Sequence, residues 1–161
     1  MNSIHSSDRT QSNSFEMSAR TMQDRSCYFL GLLLLVASDG EIVREEREDI
    51  LEIAALLDFD PEYCTEVLES VFANQYIQKD PVKFTSTSAA KAFIEDGIRL
   101  ALADGNFSAS EKEWLESVAI ANKIPATWLE LIKKSAIIKN NREWSVAQWW
   151  QLEKSTPPER E

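Results

Sequence analysis

One eight-residue pattern occurs twice in this 161-residue chain. Residues 39–46 read Asp-Gly-Glu-Ile-Val-Arg-Glu-Glu, and residues 104–111 read Asp-Gly-Asn-Phe-Ser-Ala-Ser-Glu. The Asp, the Gly and the final Glu therefore recur 65 positions later in the chain. Each copy follows an apolar helical segment and precedes an amphipathic one. This arrangement predicts two versions of one helix-loop-helix unit, each with acidic side chains at its loop.

The hydrophobic spacing predicts three helices around the first copy. The first runs from about Asp24, a candidate cap, to Ser38, and six large side chains make it apolar nearly all round: Tyr28, Phe29, Leu32, Leu33, Leu35 and Val36. The second runs from about Arg44 to Leu57. The third begins at Pro61 with Asp60 as its cap and ends between Asn74 and Lys79.

The same plan repeats from Ala89, after a hinge over residues 79–88. Phe93, Ile98 and Leu100 take the places of Tyr28, Leu33 and Leu35, and Pro125 takes the part of Pro61. A last helix is expected after Ser145, with Trp149, Trp150 and Leu152. Its tryptophans are expected to dock onto the bundle, and an exposed aromatic surface for a partner is the alternative.

These elements predict an all-α fold, a pseudo-two-fold helical bundle of about seven helices, built from two three-helix repeats plus a C-terminal helix. We expect residues 1–20 to form a flexible tail and residues 21–154 a single helical domain, with a second tail over 155–161. Within the domain, repeat one covers about 24–78, repeat two about 88–139, and the C-terminal helix about 145–154.

The composition excludes several classes of function. A formal charge of −10, from 17 basic and 27 acidic residues, disfavours a nucleic-acid partner and favours a cation or a basic protein surface. The longest apolar stretch, 27–37, is too short to span a membrane, so a cytoplasmic protein is expected. Cys27 and Cys64 fit buried free thiols. The only histidine, His5, lies in the polar N-terminal segment, which argues against a His-based triad, and no glycine-rich phosphate loop occurs. A noncatalytic protein is therefore expected, and a hydrolytic site built from carboxylates alone is the remaining enzymatic alternative.

The repeated loop resembles the second half of an EF-hand calcium loop, but the first half does not fit. Its first two carboxylate positions would be Leu35 and Ala37 in one copy and Leu100 and Leu102 in the other. The remaining oxygen-bearing residues are candidate ligands for weak Ca²⁺ or Mg²⁺ binding: Asp39, Glu41 and Glu46 with Asp104 and Glu111, and, as weaker candidates, Glu45 and Asn106. Helix capping is the competing interpretation, because Ser108 and Glu111 have the spacing of a capping box. Val43, at the equivalent place, has no side chain that can cap.

The phrases at residues 37–42 and 101–105, each followed by a glutamate that opens a helix, resemble the TerB-like tellurite resistance proteins. The resemblance covers about residues 24–138. It implies an all-helical pseudo-symmetric bundle, a bacterial stress-response setting, and a divalent metal at the acidic residues, which fall on Asp39, Glu41, Glu46, Asp104 and Glu111. Asn106, in place of an acidic residue, and Ser38, in place of alanine, depart from the family pattern.

The sequence therefore favours a noncatalytic, stress-response module that binds a divalent cation or a basic partner through its acidic Asp-Gly loops. The alternative is an ion-independent interaction scaffold that uses the acidic face or the Trp-rich C-terminal helix. A homodimer is compatible with either hypothesis.

Overall fold

The computed structural model describes residues 3–38, 42–73, 80–102, 107–134 and 143–155. Within these ranges the chain forms seven α-helices and no strand, which confirms the all-α prediction. The helices are α1 (Ser3–Ala37), α2 (Arg44–Leu56), α3 (Pro61–Ala73), α4 (Thr87–Ala101), α5 (Ala109–Ala121), α6 (Ala126–Lys134) and α7 (Ser145–Ser155). None of the described helices has an apolar stretch long enough to cross a membrane.

One predicted helix start is wrong. The first helix was expected to begin near Asp24, after a tail formed by residues 1–20. In the structure α1 begins at Ser3. Residues 3–20 contain no glycine or proline, the residues that most disfavour a helix. The helix stabilised by the apolar segment 27–37 therefore continues through them towards the N-terminus. The helix α4 begins at Thr87, next to the predicted start of the second repeat at about residue 88, and Ser86 caps it by accepting a hydrogen bond from the backbone N–H of Ala89 (3.2 Å).

The centre of the bundle is the contact between α1 and α4. Tyr28 and Phe93, which the sequence repeat pairs as equivalents, meet edge to face with their ring centroids 5.4 Å apart. Gly31 permits this approach, since a Cβ atom at that position would lie 2.7 Å from the Phe93 ring. The apolar residues predicted for α1 are all buried: Tyr28, Phe29, Leu32, Leu33, Leu35 and Val36.

The turns after α2 and α5 share one backbone geometry. Asp58 (φ 64°) and Lys123 (φ 58°) both adopt a left-handed conformation, 65 positions apart. The following residues close the turns alike, since the N–H of Phe59 donates to the carbonyl of Ala54 (3.1 Å) and the N–H of Ile124 to that of Ala119 (2.8 Å). The period of the sequence repeat therefore reappears in the local backbone at these turns.

The segment between the two halves is held by side chains. The backbone N–H of Phe84 donates to Asn122 (2.8 Å), and the N–H and hydroxyl of Thr85 donate to Asp24 (2.7 and 2.6 Å). Asp24 was expected to cap the first helix, and that prediction is wrong because the helix continues past it. Its carboxylate instead fixes the loop before α4.

The tryptophans of the C-terminal segment dock as predicted. Trp144 and Trp149 are buried, and Trp149 stacks on Tyr28 with ring centroids 5.8 Å apart. Leu152, expected with them, is exposed. The helix α7 packs mainly against α4 and also touches α2, so it closes one side of the bundle.

Candidate functional site

The predicted ligand set is only partly covered by the structure. Four of its members lie outside the described residues: Asp39, Glu41, Asp104 and Asn106. The other three, Glu45, Glu46 and Glu111, stand in the first turns of α2 and α5. Across the described ranges, no group of three or more His, Cys, Asp or Glu side chains is placed to hold a metal ion. The ion site therefore stays a prediction.

Glu111 has a structural role at the start of α5. Its carboxylate accepts the backbone N–H of Ser108 (3.0 Å), and the Ser108 hydroxyl accepts the N–H of Glu111 (3.1 Å). This is the capping box expected from the sequence, and it leaves Glu111 only 2 % exposed. One candidate ligand of the second loop is thus engaged in holding its own helix.

The start of α2 is built differently. Val43 occupies the cap position with an extended backbone and makes no side-chain capping bond, as the sequence indicated. Glu46 is nevertheless buried (6 % exposed), and Asp49, three residues on and therefore on the same face of the helix, is buried as well. Asp49 was not among the candidate residues. The three-residue spacing from Glu46 was the sequence signal that the two side chains share a helix face. Asp49 borders the apolar stripe of Ile50 and Ile53, and in the sequence it resembles a member of the polar face.

Acidic residues are concentrated in the first half. Residues 44–73, which carry α2 and α3, contain ten acidic and two basic side chains, whereas residues 109–134, which carry α5 and α6, contain four of each. We call the exposed carboxylates of residues 44–73 the acidic surface. Its members are Glu45, Glu48, Glu52, Asp58, Asp60, Glu62, Glu66 and Glu69. Only three of these eight carboxylates form an ion pair with a described residue, through Arg44, Arg47 and Lys154.

A buried polar centre that the sequence did not reveal joins α1, α4 and α7. Asp96 is fully buried and accepts hydrogen bonds from the hydroxyl of Tyr28 (2.6 Å), from Arg99 (2.7 Å), and from the backbone N–H groups of Ser145 (2.6 Å) and Val146 (2.8 Å). Burial raises the pKa of the Asp96 carboxyl to about 6, although these hydrogen bonds act in the opposite direction. Asp96 was not among the candidate residues, because its partners on α7 lie about 50 residues away in the chain.

The other end of α7 is held at the turn after α2. The Asp58 carboxylate accepts hydrogen bonds from the indole N–H of Trp150 (2.7 Å) and from Lys154 (2.6 Å). Both bonds lower the pKa of Asp58, and the bond from Lys154 has the larger effect. The guanidinium of Arg25 lies over the Trp150 ring and donates to the carbonyl of Leu57 (2.8 Å). A groove of about 190 Å³ runs along the opposite edge of α7, between it and α4.

The cysteines fit the structural role predicted for them. Both are free thiols, Cys64 buried and Cys27 partly buried. Burial, assisted by Asp24 near Cys27 and by Asp60 near Cys64, raises the pKa of both thiols. A raised pKa disfavours the thiolate, the form that acts as nucleophile or metal ligand.

Comparison with known proteins identifies the family. The family model described as "Tellurite resistance protein TerB" matches residues 30–134, which include both acidic loops and the helices α2 to α6. No curated protein and no solved structure gives a significant match. TerB domains are in general not enzymes. Because the match covers more than half of the chain, and because its all-helical fold is the one observed, the chain belongs to the TerB family of tellurite resistance proteins.

Proposed function

We propose that this TerB-family protein is a noncatalytic binding module of a bacterial stress response, and that its first half binds a positively charged ligand, a divalent cation or a basic protein segment. The unequal charge of the two halves carries this proposal. Residues 44–73 have a net charge of −8, while residues 109–134 have none. Both segments form a helix pair with the same intervening turn. The fold therefore does not require the charge, and a concentrated negative field attracts cations and basic surfaces.

Within this half, the loop before α2 is the best candidate for the cation. Carboxylate oxygens are the ligands that Ca²⁺ and Mg²⁺ prefer, and Asp39, Glu41 and Glu45 stand within a few residues of the buried Glu46. In the second half, the neutral residues Asn106 and Ser110 stand at the places of Glu41 and Glu45. We therefore expect a stronger site at Asp39, Glu41 and Glu46 than at Asp104 and Glu111. A bound cation would relieve repulsion among these carboxylates and stabilise the junction between α1 and α2.

The second candidate is an ion-independent scaffold that uses the acidic surface. The observation that favours it is the placement of Tyr63, an exposed aromatic side chain, on α3 among the exposed carboxylates. Aromatic and charged side chains together suit a protein partner better than a bare ion. The version that uses the C-terminal helix has less support, because Trp144 and Trp149 are packed inside the bundle.

Calorimetry on the chelator-stripped protein at constant ionic strength tests the proposal. Ca²⁺, Mg²⁺ and Mn²⁺ are titrated into the parent and into two matched variants, Asp39→Asn with Glu46→Gln, and Asp104→Asn with Glu111→Gln. Both remove two charges at equivalent positions, and glutamine retains the capping geometry. We expect saturable binding in the parent and in the second variant, and its loss in the first.

A lysine-rich peptide, compared with a peptide in which every lysine is glutamine, separates the two candidates. Saturable binding of the lysine peptide without any response to the ions supports the scaffold function. If neither ions nor the peptide bind, the proposal is wrong.

A further inference from the structure

The turn after α2 holds a lysine of α7 on one of its carboxylates. The ammonium group of Lys154 lies 2.6 Å from Oδ2 of Asp58, and the indole N–H of Trp150 donates to the same oxygen (2.7 Å). The ammonium group also lies over the Trp150 ring, 5.3 Å from its centroid. Asp58 belongs to the acidic surface. The chain therefore places one of its own cations on the surface that is proposed to bind a basic segment.

The two ends of α7 are held with different strength. At the last turn, the side chains of Asp58 and Lys154 are 53 % and 38 % exposed. An ion pair this open to water changes an equilibrium constant by about fivefold at most. At the first turn, the fully buried Asp96 accepts the backbone N–H groups of Ser145 and Val146. The last turn can therefore be displaced at little cost while the first turn stays in place.

The turn after α2 does not depend on Lys154 for its shape. The guanidinium of Arg25 donates to the carbonyl of Leu57 (2.8 Å) and lies over the Phe59 ring, 4.9 Å from its centroid. These contacts fix the residues on both sides of Asp58 to α1. When Lys154 leaves, the Asp58 carboxylate therefore stays in place and is open to another cation.

Two further carboxylates adjoin Asp58 in the chain. Asp60 and Glu62, two and four residues on, are exposed. Neither of them forms an ion pair with any residue in the described part of the chain. A segment with several lysines that pairs with these two carboxylates brings a further ammonium group near Asp58, where it repels Lys154. The segment and Lys154 therefore compete for the same carboxylate.

We propose that Lys154 is an internal competitor for the acidic surface. A basic protein segment displaces it from Asp58 and frees the last turn of α7, while the first turn stays fixed at Asp96. This regulation rests on the proposed function in its basic-segment form. The coupling is reciprocal: the bound segment weakens the contact of Lys154 with Asp58, and that contact weakens binding of the segment by the same factor.

The affinity of the full chain for the lysine-rich peptide measures the competition. The peptide is titrated at constant ionic strength into the parent, Lys154→Gln and Lys112→Gln, with the glutamine peptide as the blank. Lys112 is the matched control, because it is an exposed lysine that lies over an aromatic ring, Phe107 (5.5 Å), but stands on α5. Both variants lose one positive charge. We expect Lys154→Gln to bind the peptide about two- to fivefold more tightly than Lys112→Gln.

The NMR signals of α7 distinguish displacement of Lys154 from simple repulsion of the peptide. Saturating the parent with the lysine peptide should move the amide signals of residues 151–155 towards their positions in peptide-free Lys154→Gln. The signals of Ser145 and Val146 should stay in place. Unmoved signals at 151–155 in the saturated parent, or equal affinities of the two variants, would overturn the competition and leave the proposed function standing. If no form of the protein binds the peptide, the basic-segment function is wrong and the competition falls with it.

Discussion

At the scale of single residues, the starts of α2 and α5 form a natural pair for comparison. Ser108 caps α5 and Val43 stands uncapped at the start of α2. We expect Ser108→Ala to lower the free energy of unfolding by about 0.5–2 kcal/mol, the usual cost of losing a cap. Val43→Thr, which has nearly the same shape, should raise it by a few tenths to about 1 kcal/mol, because it can form a capping box with Glu46.

Chemical denaturation of the two variants measures both changes. A destabilising effect of Val43→Thr would contradict this account. It would mean that Val43 and Glu46 already make contacts that the added hydroxyl disturbs.

Gly31 tests the close approach of the central helices. Alanine favours a helix over glycine by about 1 kcal/mol, but its Cβ would lie 2.7 Å from the Phe93 ring, which is fully buried and packed against the rings of Tyr28, Phe84 and Trp114. Overpacking of this kind costs about 1–3 kcal/mol, so we expect Gly31→Ala to lower the thermal midpoint. Leu30→Ala is the control, because Leu30 is exposed on the same helix and should matter little. A Gly31→Ala variant as stable as the parent would show that α1 and α4 can separate without cost.

At the scale of elements, α7 is anchored at both ends, by Asp96 at its first residues and by Asp58 at Trp150 and Lys154. Asp58 is 53 % exposed, and its lowered pKa means that its bonds to Lys154 and Trp150 are complete above the ordinary pKa of aspartate and weaken as the pH falls through the lowered value. Solvent screening keeps the contribution of such an exposed pair to global stability small.

The loss of this anchor should therefore be local. We expect Asp58→Asn to increase amide exchange in the last turn of α7 and to leave the global unfolding transition nearly unchanged. Lys154→Gln removes the other partner and should act in the same way. A loss of protection that reaches Ser145 in either variant would show that the two anchors of α7 depend on each other, which contradicts this account.

The sequence predicted the helices better than their interconnections, for physical reasons. The apolar periodicity and the prolines located α2, α3 and the C-terminal helix, because these signals are local. Asp24 and Asp96 were misjudged or missed because their partners, Thr85 and Ser145, lie about 60 and 50 residues away in the chain. Nothing within one helical turn of either aspartate distinguishes a buried carboxylate with distant donors from a solvated one. For the candidate site, the capping role of Glu111 was predictable from its spacing, whereas the burial of Asp49 depends on packing.

At the scale of the whole molecule, two similar helix pairs enclose a common core, but only one of them carries a net charge. The TerB family match spans both pairs. The acidic first half is proposed as the binding half, and the neutral second half serves as an internal reference with the same turn geometry. α7 lies beyond the matched residues and ties the α4 helix to the turn after α2.

The most direct test of this account is a titration of the uniformly ¹⁵N-labelled, chelator-stripped protein with Ca²⁺ and Mg²⁺ at constant ionic strength, followed residue by residue by NMR. The account predicts saturable shifts that cluster in the loop before α2 and along α2 and α3, with the amides of α5 and α6 much less affected. Equal shifts in both halves, or shifts that grow linearly without saturation, would contradict a ligand site in the acidic first half.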